Sequence, residues 1–287
     1  MRKVMFPVGG LGTRFLPATK TTPKEMLPIV DKPLIQYGVE EAVEAGADSL
    51  VFITSRMKHS ISDHFNTAYE LETKLRQSKK DSLLRKAQAT LPADVNCAYV
   101  PQAEALGLGH AVLCGADAIG DEAFGIILAD DLIKGAGSGC MAQMVKVHLE
   151  TGYSVLAVEE VAIEDTGKYG IVSTTAFGES IEKVEAIVEK PAPDLAPSNL
   201  AVVGRYILTP KIFELLRTTP PGAGGEIQLT DAIAALIEHE TVLCFRFKGQ
   251  RYDCGSKFGF IQATIEYGLD HPDLGPRCRE YLRQKKF

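Results

Sequence analysis

No apolar run in this 287-residue chain approaches the roughly 20 residues that span a bilayer. Its opening residues lack the long apolar core and cleavage site of a secretory signal, so a cytoplasmic protein is expected. None of the six cysteines (Cys97, Cys114, Cys140, Cys244, Cys254, Cys278) stands in a Cys-x-x-Cys pair or at zinc-ligand spacing from a His. They read as reduced and structural, and a transition-metal site is not expected. Positive charge is in deficit. The 31 Lys and Arg against 37 Asp and Glu leave a net −6, which argues against a protein that coats nucleic acid or an anionic membrane. Two familiar phosphate motifs are absent as well. Gly-Lys-Ser/Thr does not occur, so there is no P-loop; Gly10-Leu-Gly12 puts Phe15, and Gly107-Leu-Gly109 puts Val112, where a dinucleotide fingerprint needs its third Gly.

What is present is an ordinary globular composition, 45% apolar and 24% charged, long enough for one large domain or two small ones. Compact apolar runs at 4–8, 50–54, 98–100 and 125–129 read as strands. Between them, Ile35, Val39, Ala42 and Val43 mark a helix face, 66–90 is a polar helical segment, and 107–118 looks helical. Strands alternating with helices imply an open, mostly parallel Rossmann-like α/β sheet covered on both faces. After about residue 150 the rhythm changes. Segments 154–161, 169–173, 184–188, 200–208 and 242–247 are strand-like, and Leu229, Ala232, Ile233, Leu236 and Ile237 form a helix face. The second half therefore leans antiparallel within one mixed sheet.

The stretch 9–24, after the first strand, holds glycines, two prolines and no obvious helix. Long loops in compact domains tend to be functional. Arg2, Lys3, Arg14, Lys20 and Lys24 precede the first carboxylate, Glu25. Glycine backbone and cationic side chains together suit phosphate; the plainer reading is a turn with solvated charges. Asp130 ends a buried strand, on the side where α/β sheets place ligands, and either holds a hard cation or caps the next segment. Asp253 is a second ligand or a turn former, and Glu189-Lys190 is a functional pair or a solvated one.

Together these pieces resemble the sugar-nucleotide pyrophosphorylases, a family of sugar nucleotidyltransferases. The resemblance rests on Gly10-Leu-Gly12-Thr13-Arg14, Pro17, Thr19 and Pro23-Lys24, then on 102–111, 168–170, Glu189-Lys190-Pro191, 197–206, 225–232 and Asp253-Cys254-Gly255. It runs in order over residues 1–268, implying one catalytic domain with a nucleotide half (1–150) and a sugar half (151–268). Residues 269–287 form an extension that matches poorly. Gly9 stands where relatives often have Ala, and Ala129 where many have Pro; neither departure removes a functional group.

Within that family the closest likeness is to the glucose–uridylyl group. It implies Mg²⁺-dependent transfer of UMP from UTP to glucose 1-phosphate, releasing pyrophosphate. The implied roles place Gly9, Gly10, Gln102 and Gly107 on uridine, and Arg14 and Lys24 on the triphosphate. Asp130 and Asp253 would bind Mg²⁺, Gly170, Glu189, Val203 and Gly204 the glucose hydroxyls, and Lys190 the sugar phosphate. A homodimer or homotetramer is implied in the same way. Another base or hexose, or a non-catalytic nucleotide-sugar sensor, are the alternative readings.

Overall fold

The computed structural model describes residues 1–56, 58–178 and 180–285. Its strands are β1 (Lys3–Pro7), β2 (Pro28–Ile29), β3 (Lys32–Pro33), β4 (Ser49–Thr54), β5 (Asn96–Pro101), β6 (Phe124–Ile127) and β7 (Asp131–Gly135), followed by β8 (Ser154–Glu160), β9 (Gly170–Gly178), β10 (Ile181–Glu189), β11 (Leu200–Leu208), β12 (Val242–Arg246) and β13 (Gly249–Asp253). Nine of them form one sheet in the order β5-β4-β1-β6-β11-β8-β12-β10-β9. The first four neighbours pair in parallel, β8 and β12 do too, and β10 and β11 alone run against the rest.

The apolar runs lack alternation because both faces of the sheet are covered. Val4 and Phe6 pack with the helices Leu34–Glu44, His59–Phe65 and Cys140–Thr151. Met5, one residue along the same strand, points to the other face and the helices Leu108–Cys114, Lys211–Thr218 and Leu229–Ile237. The chain leaves β1 for β4 and β5 on one side, then returns to place β6 on the other. That reversal is a topological switch point, and it opens a crevice outside the carboxyl ends of β1 and β6.

Several elements differ from the sequence reading. The segment 66–90 is two helices, Tyr69–Gln77 and Asp81–Gln88, broken where Lys79 takes φ +52°. Gly115 divides the helical stretch 107–118 into Leu108–Cys114 and Ala116–Ile119. Asp130 does not end a strand: β6 stops at Ile127, Asp130 lies in the following turn, and Asp131 opens β7. Among the described residues that strand pairs only with β13, in a two-stranded ribbon outside the main sheet.

A buried ion pair joins the sheet to its helical cover. Arg205 of β11, 1% exposed, donates from Nε and Nη2 to the Glu41 carboxylate at 3.0 and 2.7 Å. Glu41 Oε1 also accepts from the Met141 N–H at 2.9 Å, so one carboxylate ties two helices to a central strand.

Candidate active site

The loop after β1 is not structureless. It makes three short 3-10 turns, Thr13–Phe15, Ala18–Lys20 and Lys24–Met26. Gly12 enters the first at φ +66°, a conformation glycine adopts freely. The Thr19 hydroxyl donates to the Gly12 carbonyl at 2.7 Å and closes the loop on itself. Glu25, beside Lys24, is buried and pairs with buried Lys58 at 2.7 Å, which anchors the third turn to the segment after β4. Burial drives both groups toward their neutral forms, Glu25 upward and Lys58 downward, against their mutual attraction.

Lys24 Nζ lies 2.5 Å from Asp130 Oδ2. Burial by itself would raise the Asp130 carboxyl, but Lys24, with Arg14 beyond it, outweighs that and holds the group below the ordinary carboxylate range. Asp130 is therefore an ionised oxygen donor at neutral pH. The β7–β13 ribbon sets Asp253 opposite Asp131, and the Cys254 N–H donates to the Asp130 carbonyl at 2.8 Å. Side chains 123 positions apart are thus brought to one point. A Cβ on Gly255 would lie 3.0 Å from Asp253 Oδ1, 3.1 Å from Asp130 Oδ2 and 3.5 Å from Arg14 Nη1. Glycine keeps that point open. Among the described residues no larger cluster of His, Cys, Asp and Glu suits a metal. Two carboxylates with space for further oxygens are the donor set Mg²⁺ takes when substrate phosphates complete its shell, so the residues fit that ion.

Asp131 looks the other way. Its Oδ2 accepts from the Gly204 N–H at 2.8 Å and its Oδ1 from Arg251 Nε at 2.7 Å. Arg251 also donates to Glu159 at 2.6 Å and stacks on the Tyr169 ring. The register of β11 against β8 shifts between Val202 and Tyr206, which frees the Gly204 N–H for Asp131. A Cβ on Gly204 would stand 2.7 Å from that carboxylate oxygen.

Two adjoining cavities meet at Asp130. The larger, about 670 Å³, is lined by Arg14, Asp130, Asp253, Gly170, Glu189, Lys190 and Gly204. The smaller, about 300 Å³, is lined by Gly9, Gly10, Lys24, Asp130, Gln102 and Gly107. A separate groove of about 800 Å³ against the helix Leu34–Glu44 holds none of the residues singled out from the sequence. In the larger cavity Glu189 is held from both sides: the Thr230 hydroxyl donates to Oε2 at 2.7 Å, and Lys190 Nζ lies 2.7 Å from Oε1. Lys190 takes φ +46°, an uncommon conformation for a residue with a Cβ, fixed in part by its N–H bond to the Tyr169 carbonyl at 2.9 Å. Val203 is the one sequence-expected side chain that turns away. It packs in the core with Phe6 and Ile127, while Val202 and Gly204 face the cavity, so only its backbone is available there.

Residues 4–268 match the model of the family described as nucleotidyl transferase. A UTP–glucose-1-phosphate uridylyltransferase of Pseudomonas aeruginosa is 49% identical over 265 residues, 92% of this chain and 95% of that protein. The chain belongs to the nucleotidyl transferase family. Its fold also superposes on a UTP-bound UGPase from Acinetobacter baumannii, with a TM-score of 0.93, 43% identity and complete coverage of both chains. A UDP-glucose pyrophosphorylase complexed with UDP-glucose gives a TM-score of 0.86 at 45% identity, covering 94% of this chain and all of the other.

Within this nucleotidyl transferase, sequence reasoning missed residues that brace the site, several of which also border its cavities. Asp131, Arg251, Thr230, Glu25 and Lys58 act through partners far away in the chain. The only local signal was the acid doublet Asp130-Asp131, from which a single ligand was taken.

Proposed function

We propose that this nucleotidyl transferase moves the uridylyl group of UTP onto glucose 1-phosphate, giving UDP-glucose and pyrophosphate. The observation that carries the reading is the convergence of Asp130, Asp253 and Arg14 around Gly255, next to Asp130, which lines both cavities. A nucleotide in the smaller cavity and a sugar phosphate in the larger would present their phosphates to each other there. A phosphate monoester has its second pKa near 6, so the attacking oxygen is already ionised at neutral pH and needs no general base. It bonds to the α-phosphorus in line; the α–β bridging bond breaks and its electron pair leaves with pyrophosphate.

The obstacle is repulsion. Two unit charges 4 Å apart at an effective dielectric near 20 oppose each other by roughly 4 kcal/mol, and several oxygens are involved. Arg14 and Lys24 offset it on the triphosphate side, and Lys190 on the sugar phosphate. Asp130 and Asp253 would hold Mg²⁺, which would supply further neutralisation of the charge on the phosphates. Lys24 is suited to both states, since its partner Asp130 keeps it protonated and close when no phosphate is bound. Catalysis is positioning plus electrostatics, with no covalent enzyme intermediate.

The test is a matrix of five nucleoside triphosphates against several sugar 1-phosphates, scored by pyrophosphate release. The expected result is a dominant signal for UTP with glucose 1-phosphate, lost on chelation with EDTA and restored by added Mg²⁺. Equal rates across bases and sugars, or full activity in excess EDTA, would overturn it. Glu189→Ala is expected to raise the KM for glucose 1-phosphate about tenfold or more with little change for UTP, since a charged hydrogen-bonding group is lost on the sugar side. Steady-state kinetics with each substrate varied separately checks this, and the reverse pattern would move Glu189 to the nucleotide side.

A further inference from the structure

His110 does not line either cavity, yet it is bonded to a residue that does. Gln102 leaves β5 and sits under the smaller cavity beside Gly9. Its Nε2 lies 3.2 Å from the Gly107 carbonyl and 3.1 Å from His110 Nδ1. A backbone carbonyl only accepts, so the amide must present its NH₂ to Gly107. His110 Nδ1 then receives the second N–H and carries no proton of its own. In the neutral ring the proton is then on Nε2; the Cys114 sulfur, 3.8 Å from Nε2 and 4.0 Å from Nδ1, favours neither nitrogen.

Both amide protons of Gln102 are thereby spent inside the protein. The carbonyl Oε1 is left on the side of Gly9, 2.6 Å from the place a Cβ there would occupy. Among the described residues no donor reaches it. Gln102 thus offers the cavity an acceptor and no donor.

That polarity separates two pyrimidines. Uracil carries a proton on N3, whereas cytosine has a lone pair there and would set acceptor against acceptor. A reversed amide would suit cytosine, but it would also turn Oε1 onto the Gly107 carbonyl and the His110 lone pair. We propose that His110 is a specificity-positioning residue: its unprotonated Nδ1 locks the Gln102 amide so that the base cavity takes an N3–H pyrimidine and rejects cytosine. The inference rests on the placement of the base beside Gln102 in the proposed function. It adds a residue that touches no substrate.

The experiment compares kcat/KM for UTP and CTP in the wild type, His110→Ala, His110→Asn and Gln102→Ala, with glucose 1-phosphate fixed. His110→Ala removes one of two acceptors and is expected to lower the UTP-over-CTP preference about tenfold, the scale of one hydrogen bond. Asn places Oδ1 where His has Nδ1, so His110→Asn is expected to restore the preference to within about threefold of wild type, a rescue that loss of packing alone would not show. A preference unchanged in His110→Ala, or equally reduced in Ala and Asn, overturns the role of His110. Gln102→Ala separates that failure from the failure of the underlying reading. If its UTP affinity and base preference match the wild type, the base does not lie against Gln102 and both ideas fall.

Discussion

Asp130→Asn is expected to lower kcat about a thousandfold while the protein stays folded, because it removes the charge on which cation binding depends. Asparagine keeps the shape of the turn between β6 and β7, and the Cys254 N–H bond uses the main-chain carbonyl of residue 130, which the substitution leaves in place. What is lost is the anionic oxygen shared by Lys24 and the Gly255 point. The Lys24–Asp130 pair is mostly buried, so loss of the aspartate charge costs about 1–3 kcal/mol of stability. Pyrophosphate release at saturating substrates, with far-UV circular dichroism to confirm folding, checks the two halves together. Near-normal turnover in the folded variant would remove Asp130 from the cation site.

Glu41→Ala is expected to be the most damaging single change outside the active site. It strands a fully buried guanidinium and also deprives the Met141 N–H of its acceptor. Removing one partner of a buried pair costs about 3–5 kcal/mol, on the order of 10 °C in Tm for a chain of this size. The double variant Glu41→Met/Arg205→Met is expected to recover part of that loss, since no charge is then left unpaired. Recovery stays incomplete because the Met141 N–H is still unsatisfied. Thermal melts of the two variants decide this. A Glu41→Ala protein melting within about 2 °C of wild type would mean that Arg205 finds water or another partner.

These two residues also show where a sequence can be read and where it cannot. The central strands were legible because two-sided burial leaves continuous apolar runs, and residues 200–208 match the bounds of the antiparallel but fully buried β11. β7 was not legible: Asp131, Lys134 and Gly135 interrupt its apolar pattern, and its partner β13 lies more than a hundred residues on. The helix Cys140–Thr151 escaped too, although Cys140, Met141, Met144, Val145 and Val147 give it a helical face. Asp130 was singled out because it follows a buried run. Asp131 next to it, which holds Gly204 and Arg251, was not, because nothing local distinguishes a carboxylate that binds a cation from one that binds a backbone N–H. The bulge in β11 that frees the Gly204 N–H is likewise a property of pairing and leaves no mark in the residues themselves.

The small residues follow the same division. Gly12 belongs to the expected phosphate loop, and Gly107 is expected to face the uridine. Gly107, at φ +99°, also sits 2.7 Å from the Glu226 side chain at its missing Cβ. Gly9 is the more permissive case. A Cβ there would lie 2.6 Å from Gln102 Oε1, so alanine at this position requires the amide end of Gln102 to shift, whereas the backbone leaves room for it.

A crystal soaked with UDP-glucose and Mn²⁺, read by anomalous scattering, tests the core idea most directly. One strong cation peak is expected between the carboxylates of residues 130 and 253, touching the diphosphate, with uracil toward Gln102 and glucose toward Glu189. A nucleotide sugar bound away from the loop that follows β1, or a cation held without either aspartate, would contradict it.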